Sequence, residues 1–186
     1  RDQLMDSFIM KRISFADTRC FLAQSLDMIG EWWTLLIIRE AYFGTRRFSD
    51  FQSHLGIARN VLSERLDRLV ENEILQRVPV TPSSKRAHYR LTEKGRDLVA
   101  VVISLVQWGD RWVMGPDNAP IRMVDRATGE DIADVQVQAK DGRPLGLYDI
   151  GLEPGPGADD AIRDRFSEAV TDSGAVRWRI RRHMAA

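Results

Sequence analysis

Arg59, Asn60 and Ser63 stand in the first turn of GIARNVLSERLDRLVENEIL, Gly56 to Leu75, a segment whose leucines recur at helical spacing. Asparagine can pair two hydrogen bonds with adenine, and serine can donate or accept at several base edges. With Leu62 at the centre of an inward face and about 100° per residue, Leu66, Leu69 and Val70 stay inward. Asn60, Ser63, Glu64, Asp67 and Glu71 fall on the far side. Such a helix could read the edge of a duplex with its leading end, the acids lying further along where a groove recedes. An amphipathic surface helix with no ligand has the same look, so the flanking residues decide. Arg46 and Arg47 precede the segment FSDFQSHL, and Lys85 and Arg86 sit in the polar loop TPSSKR. Basic residues on both sides of one reading helix are where phosphate strands would cross, setting register while base contacts specify.

The elements that must position these groups follow from periodicity. Phe21–Tyr42 reads as one helix, with Leu22, Leu26, Ile29, Trp33, Leu36, Ile37 and Glu40 at three/four spacing and Gly44 as its stop. From Trp32 to Ile38 it is apolar nearly all round, which marks burial against several neighbours. A short helix over RRFSDFQSHLG follows, capped by Ser49 or by the preceding turn, with Phe48, Phe51 and Leu55 inward and Gly56 ending it. The reading helix runs from about Arg59 to Glu73. LQRVPV and AHYRLT then alternate as strands of a hairpin. Thr92, Glu93 and Gly95 open a helix to about Val113, with Leu98, Val102, Leu105, Trp108 and Trp112 on one stripe. Helix, helix-turn-helix, hairpin, helix is the order of a winged helix-turn-helix domain.

Beyond Gly115 the chain becomes acidic and turn-rich. A small antiparallel sheet is expected there, turning at Thr128-Gly129 and Asp141-Gly142. ADDAIRDRFSEAV suits a short helix with Asp159 and Asp160 at its N-terminus, and VRWRIRR alternates as a strand or basic tail. The expected class is therefore α+β, a winged helix-turn-helix domain with a small antiparallel β-rich C-terminal extension. Its parts are an arm (1–19), the DNA-binding domain (20–95), a dimerisation helix (96–114) and the extension (115–186).

Composition agrees with a globular chain: 186 residues, 44% apolar and 29% charged. The net charge of zero averages opposites, because residues 39–90 carry +4, residues 114–160 carry −6 and residues 161–186 carry +3. The opening RDQLMDSFIMKRISFADTRC scatters charges and lacks a long apolar run, so no secretory signal is expected. No stretch approaches the roughly 18 to 20 apolar residues of a membrane span. The single cysteine, Cys20, excludes an internal disulfide framework and suits the cytoplasm.

MKRISFADTRC leading into LDMIGEWWTLLIIREAYFGTRRFSDFQ, then GIARNVLSERLDRLVENEIL, YRLTEKGRDL and QWGDRW, resembles the HxlR-type family of bacterial transcription regulators, relatives of the MarR group. The resemblance covers roughly residues 10–113. It implies a homodimer that binds double-stranded DNA at an inverted repeat near a promoter. The family's arginine-phenylalanine entry falls on Arg47 and Phe48, and its recognition-helix motif on Val61, Leu62, Ser63, Arg65 and Leu66. Arg65 points sideways on the helical wheel, which leaves a phosphate contact or an intramolecular ion pair. The wing motif appears as Arg86, His88 and Tyr89, with His88 where the family usually places an acid.

The resemblance also implies a dimer face. The stripe from Leu98 through Val102, Leu105 and Trp108 to Trp112 would supply it with Phe8, Ile9, Ile13 and Phe15 of the arm, unless the stripe caps the chain's own core. Cys20 opens the first helix beside Arg19, where a thiolate is favoured. Some family members sense oxidants or electrophiles at this place, whereas a lone cysteine also serves as an inert small hydrophobe. The family's usual following proline is Phe21 here. The extension is similar to a ribbon in which some members hold zinc, but VDRATGED and VQAKDGR contain neither Cys nor His. His54, His88 and His183 show no ligand spacing, so neither metal nor cofactor is expected. Without a Gly-rich phosphate loop or nucleophile elbow, the chain reads as no enzyme. The expected function is an operator-binding regulator answering to a small molecule or thiol-reactive signal. The alternative is a protein-interaction or effector-binding module built on the extension.

Overall fold

A computed structural model describes residues 15, 18–84, 86–115 and 118–167. Helices α1 (Phe21–Ile29), α2 (Trp32–Phe43), α3 (Phe48–Leu55) and α4 (Arg59–Glu71) precede strands β1 (Leu75–Pro79) and β2 (Ala87–Leu91). Helices α5 (Glu93–Asp97) and α6 (Val99–Gly109) and a π-type turn at Asp110–Met114 follow. This is a winged helix-turn-helix, mixed helix with a two-stranded antiparallel sheet. The strands pair from Leu75 opposite Leu91 to Pro79 opposite Ala87, placing Arg77 opposite Tyr89. The core gathers Ile37, Ile38 and Ala41 of α2, Phe51 of α3, Leu62, Leu66 and Leu69 of α4, and Leu75, Tyr89 and Val102. The leucines of α4 face inward as their spacing requires.

Several expectations need correction. The single helix over Phe21–Tyr42 is two, because Glu31 turns extended (ψ 129) after Gly30 and restarts the chain as the N-cap of α2. The first piece, α1, buries none of its residues, and Phe21 and Leu22 are exposed. The apolar girdle of α2 is only partly covered: Ile37 and Ile38 are buried, but Trp32 is 77% exposed. Ser49 does not cap α3; Arg47 holds the N-cap position, and the Ser49 hydroxyl donates to its neighbour Asp50. The helix over Thr92–Val113 is likewise broken, at Leu98 between α5 and α6, and ends in the π-type turn. Thr92 does cap it, its hydroxyl accepting from Gly95 N at 3.1 Å.

One compact unit extends to Ala133 and a second begins at Asp134. Both expected turns form. Gly129 N donates to Asp125 O at 2.7 Å, Gly142 N to Ala139 O at 2.9 Å, and both glycines take positive φ. The sheet between them does not. Among the described residues of the extension, strand pairing is limited to the bridges Val124–Asp131 and Gln138–Pro144. Most of the ribbon's apolar side chains, Val135, Val137, Leu147 and Leu152 among them, are exposed, so no buried face rewards a longer ladder. Helix α7 (Asp160–Ser167) forms as expected, Asp159 accepting from Ile162 N at 2.9 Å. VRWRIRR lies outside the described residues.

Candidate nucleic-acid interface

The turn between α3 and α4 sets the reading helix in place. Gly56 closes α3 in the left-handed region (φ 62), where a side chain would be strained. Ala58 then enters α4 in extended conformation, offering no side-chain cap. The first amide N–H groups of α4 are thus left without an intrahelical or capping partner, and the helix dipole makes that end electropositive. Asn60 and Ser63 are exposed beside it, on the face opposite buried Leu62 and Leu66. Arg59 lies over the Phe48 ring at 5.7 Å, which ties the start of α4 to the start of α3.

The hairpin is tied to the same place. Tyr89 N donates to Arg46 O at 2.8 Å, joining β2 to the loop between α2 and α3. Between the start of α3, the start of α4 and the hairpin lies a groove of about 920 Å³. Its lining includes Arg47, Arg59, Arg77, Arg86 and His88 and, among the described residues, no carboxylate. Arg77 is paired with Asp67 behind the lining. The guanidinium groups of Arg47, Arg59 and Arg86, which share the groove without a carboxylate partner among the described ion pairs, suit a polyanion.

The predicted residues divide. Arg47, Arg59, Arg86 and His88 share the groove, with Asn60 and Ser63 exposed on α4. Arg46 does not line it: its Nη1 donates to Ala41 O at 2.5 Å in the last turn of α2 and to Thr45 O at 3.0 Å just beyond the helix. Arg65, its side chain 14% exposed, pairs with Glu31 at 3.5 Å and Glu64 at 3.2 Å, the ion-pair alternative among its two expected roles. Glu64 is therefore drawn to Arg65, and Asp67 is paired with Arg77. Both acids turn to cations of their own chain rather than standing as free acceptors for bases. Lys85 lies outside the described residues.

Arg77 and Gln52 were not anticipated in this groove. The usable signal for Arg77 was strand register, since an arginine opposite Tyr89 on the wing must share its face. Hydrogen bonding to Tyr89 raises the Arg77 pKa further, against burial and with help from Asp67. The stripe assigned to a dimer face splits. Leu98 is packed against the core and Val102 is 6% exposed within it, so those two are used by the chain itself. Leu105, Trp108 (58% exposed) and Trp112 (69% exposed) remain uncovered, as does Phe15. Phe8, Ile9 and Ile13 lie outside the described residues. Cys20 is exposed at the N-cap position of α1.

Behind the groove, α2 and α3 are joined by a buried charge. Glu40 receives Arg39 Nη2 at 3.0 Å and the Thr45 hydroxyl at 3.1 Å, with His54 Nδ1 at 3.0 Å. Burial pushes its carboxyl up, but the bonds from His54, Arg39 and Thr45 together outweigh that and hold it below its ordinary 4.5. A carboxyl depressed on folding adds stability that is complete above the unfolded value and lost as pH falls through the folded one. Below about pH 4.5 the parent should lose thermal stability more steeply than Glu40→Gln, although that variant starts less stable at neutral pH. Melting curves from pH 7 to the acid limit would measure this, and parallel declines would remove Glu40 as the cause.

Comparison with known proteins agrees with the winged helix-turn-helix fold. Residues 28–117 match the family model described as HxlR-like helix-turn-helix. An HTH-type transcriptional regulator of Mycobacterium tuberculosis is 42% identical over 136 residues, spanning 73% of this chain and 86% of the relative. Among solved structures, PA1607, described as a candidate transcription factor, superposes with TM-score 0.70 at 39% identity over 76% of this chain and 99% of its own. PA1374 of Pseudomonas aeruginosa, described likewise, gives 0.57 at 36% identity over 78% and 99%.

Proposed function

The chain belongs to the HxlR-like helix-turn-helix family of transcriptional regulators, and from that premise we propose that it binds an inverted-repeat operator in double-stranded DNA as a homodimer in the cytoplasm. The observation that carries the reading is the four-arginine groove at the open N-terminus of α4. In this reading Asn60 and Ser63 meet base edges in the major groove, while Arg47, Arg59 and Arg86 hold phosphates on either side.

One such domain reads few base pairs, and twofold pairing doubles its contacts and sets the half-site spacing. Leu105, Trp108 and Trp112, uncovered in the single chain, support pairing through α6. The exposed Cys20 thiol is where an oxidant or electrophile would enter the regulation, and a small-molecule effector is its counterpart without covalent chemistry. Among the described residues no helix is long and apolar enough to cross a membrane.

Selection of bound sequences from random duplexes, with and without a thiol oxidant, tests the whole reading. A symmetric enriched site is expected, with loss of any oxidant response in Cys20→Ser. If no symmetric site is enriched, the operator reading fails, and the interaction module built on the exposed apolar ribbon of the extension takes its place.

A further inference from the structure

If Asn60 on α4 and Arg86 on the wing are to touch one duplex together, the angle between reading helix and hairpin must be held. One side chain reaches both. Arg77 of β1 donates from Nη2 to Asp67 Oδ1 on α4, and to the Tyr89 hydroxyl on β2 at 3.2 Å. Its guanidinium carbon also lies 5.5 Å from the centre of the Tyr89 ring. Tyr89 is buried, meets Phe51 of α3 edge-on at 6.3 Å, and is hydrogen-bonded through its amide to the loop before α3. The path Asp67, Arg77, Tyr89, Phe51 therefore joins reading helix, both wing strands and supporting helix.

We propose that Arg77 is a positioning residue for DNA recognition: its clasp on Asp67 and Tyr89 sets the wing's angle to α4, and so the spacing between base and phosphate contacts. This deepens the operator reading above and rests on it. The competing role is a fourth phosphate cation, since Arg77 also lines the groove and is half exposed. The two roles differ in sign at Asp67. A phosphate-binding Arg77 would be held back by Asp67, and removing that carboxylate would free a cation and tighten binding. In a clasp, removing either end loosens the wing and weakens binding.

The test uses the full chain, Arg77→Met, Arg77→Lys, Asp67→Asn and the double variant Arg77→Met with Asp67→Asn. Each is checked for folding by circular dichroism. Each is then titrated over a salt series with a fluorescent duplex carrying the enriched site, beside a random duplex of equal length. Arg77→Met and Asp67→Asn should each lose on the order of tenfold in affinity for the enriched site, as contacting residues do, and the double should lose little more than either. The salt dependence should match the parent, because no phosphate contact is removed. Arg77→Lys should recover part of the loss, an ammonium still reaching Asp67. Asp67→Asn is near-isosteric at a half-exposed site, exchanges the ionic acceptor of the clasp for a neutral amide oxygen, and reads the sign even if an Arg77 variant unfolds. Tighter binding by Asp67→Asn, a salt slope lowered by about one phosphate in Arg77→Met, or unchanged affinity in both would overturn the proposal. A parent that binds no duplex overturns the operator reading itself and this one with it; a parent that binds as its variants do overturns this one alone.

Discussion

Replacing Arg47 and Arg86 together by alanine should weaken binding to every duplex, matched or random, by about a hundredfold. Both side chains are exposed in the groove, Arg47 beside α3 and Arg86 at the root of β2. Neither has an intramolecular carboxylate partner among the described ion pairs, so removing them leaves no buried acid stranded and should spare the fold. Each charge-assisted hydrogen bond to a phosphate is worth about 1.5 kcal/mol, and two make roughly two decades in affinity. The same loss should flatten the plot of log affinity against log salt by about 0.9 per contact. Asn60→Ala should leave that slope alone and change preference at one base pair. Fluorescence anisotropy over a salt series separates the two. A parental slope in the double arginine variant would move the phosphate strands elsewhere on the molecule.

Gly95→Ala is the substitution expected to damage the fold most for the fewest atoms added. A Cβ on Gly95 would lie 2.1 Å from the Ile74 carbonyl oxygen and 3.0 Å from Leu91 Cδ2. The first neighbour is backbone and cannot rotate away. Nor is that corner free to shift. Thr92 N donates to Ile74 O at 3.1 Å, its hydroxyl donates to Glu73 O at 2.5 Å, and Glu73 is held in the left-handed region with φ 58. Reading helix, wing and α5 meet at this point, so the clash spreads into the core through Ile74 and Leu75. Overpacking of this kind costs about 3 kcal/mol, or about 10 °C in Tm for a chain of this size. Gly109→Ala is the control. Nothing lies within 4 Å of its added Cβ, and its φ of −65 is helical, so it should melt at or above the parent. Equal melting of the two variants would mean that the Ile74 corner yields.

Much of the scaffold for these effects was written in local spacing. The leucines of α4 predicted their own burial, alternation in LQRVPV and AHYRLT predicted the hairpin, and Thr92, Glu93 and Gly95 predicted a helix start. The exposed Asn60 and Ser63 followed from the same wheel. Periodicity was less reliable where a neighbour had to be supplied. The all-round apolarity of α2 predicts burial against several neighbours, yet Trp32 stands out in the single chain.

The amino-acid order by itself determined which face of each helix and strand is apolar, and therefore the sequence of elements and the end of α4 that carries polar groups. Those properties depend on residues a few positions apart, joined by fixed backbone geometry. Only the tertiary structure decided which arginine does what. Arg46 and Arg47 are adjacent and chemically identical, but one turns to the carbonyls ending α2 and the other opens into the groove. It likewise gave Asp67 to Arg77 across ten residues and His54 to Glu40 across fourteen, and placed Val102 in the core while Trp108 stayed outside. A long flexible cation pairs with whatever acceptor folding brings within reach, and its own sequence neighbourhood carries no record of which one that is.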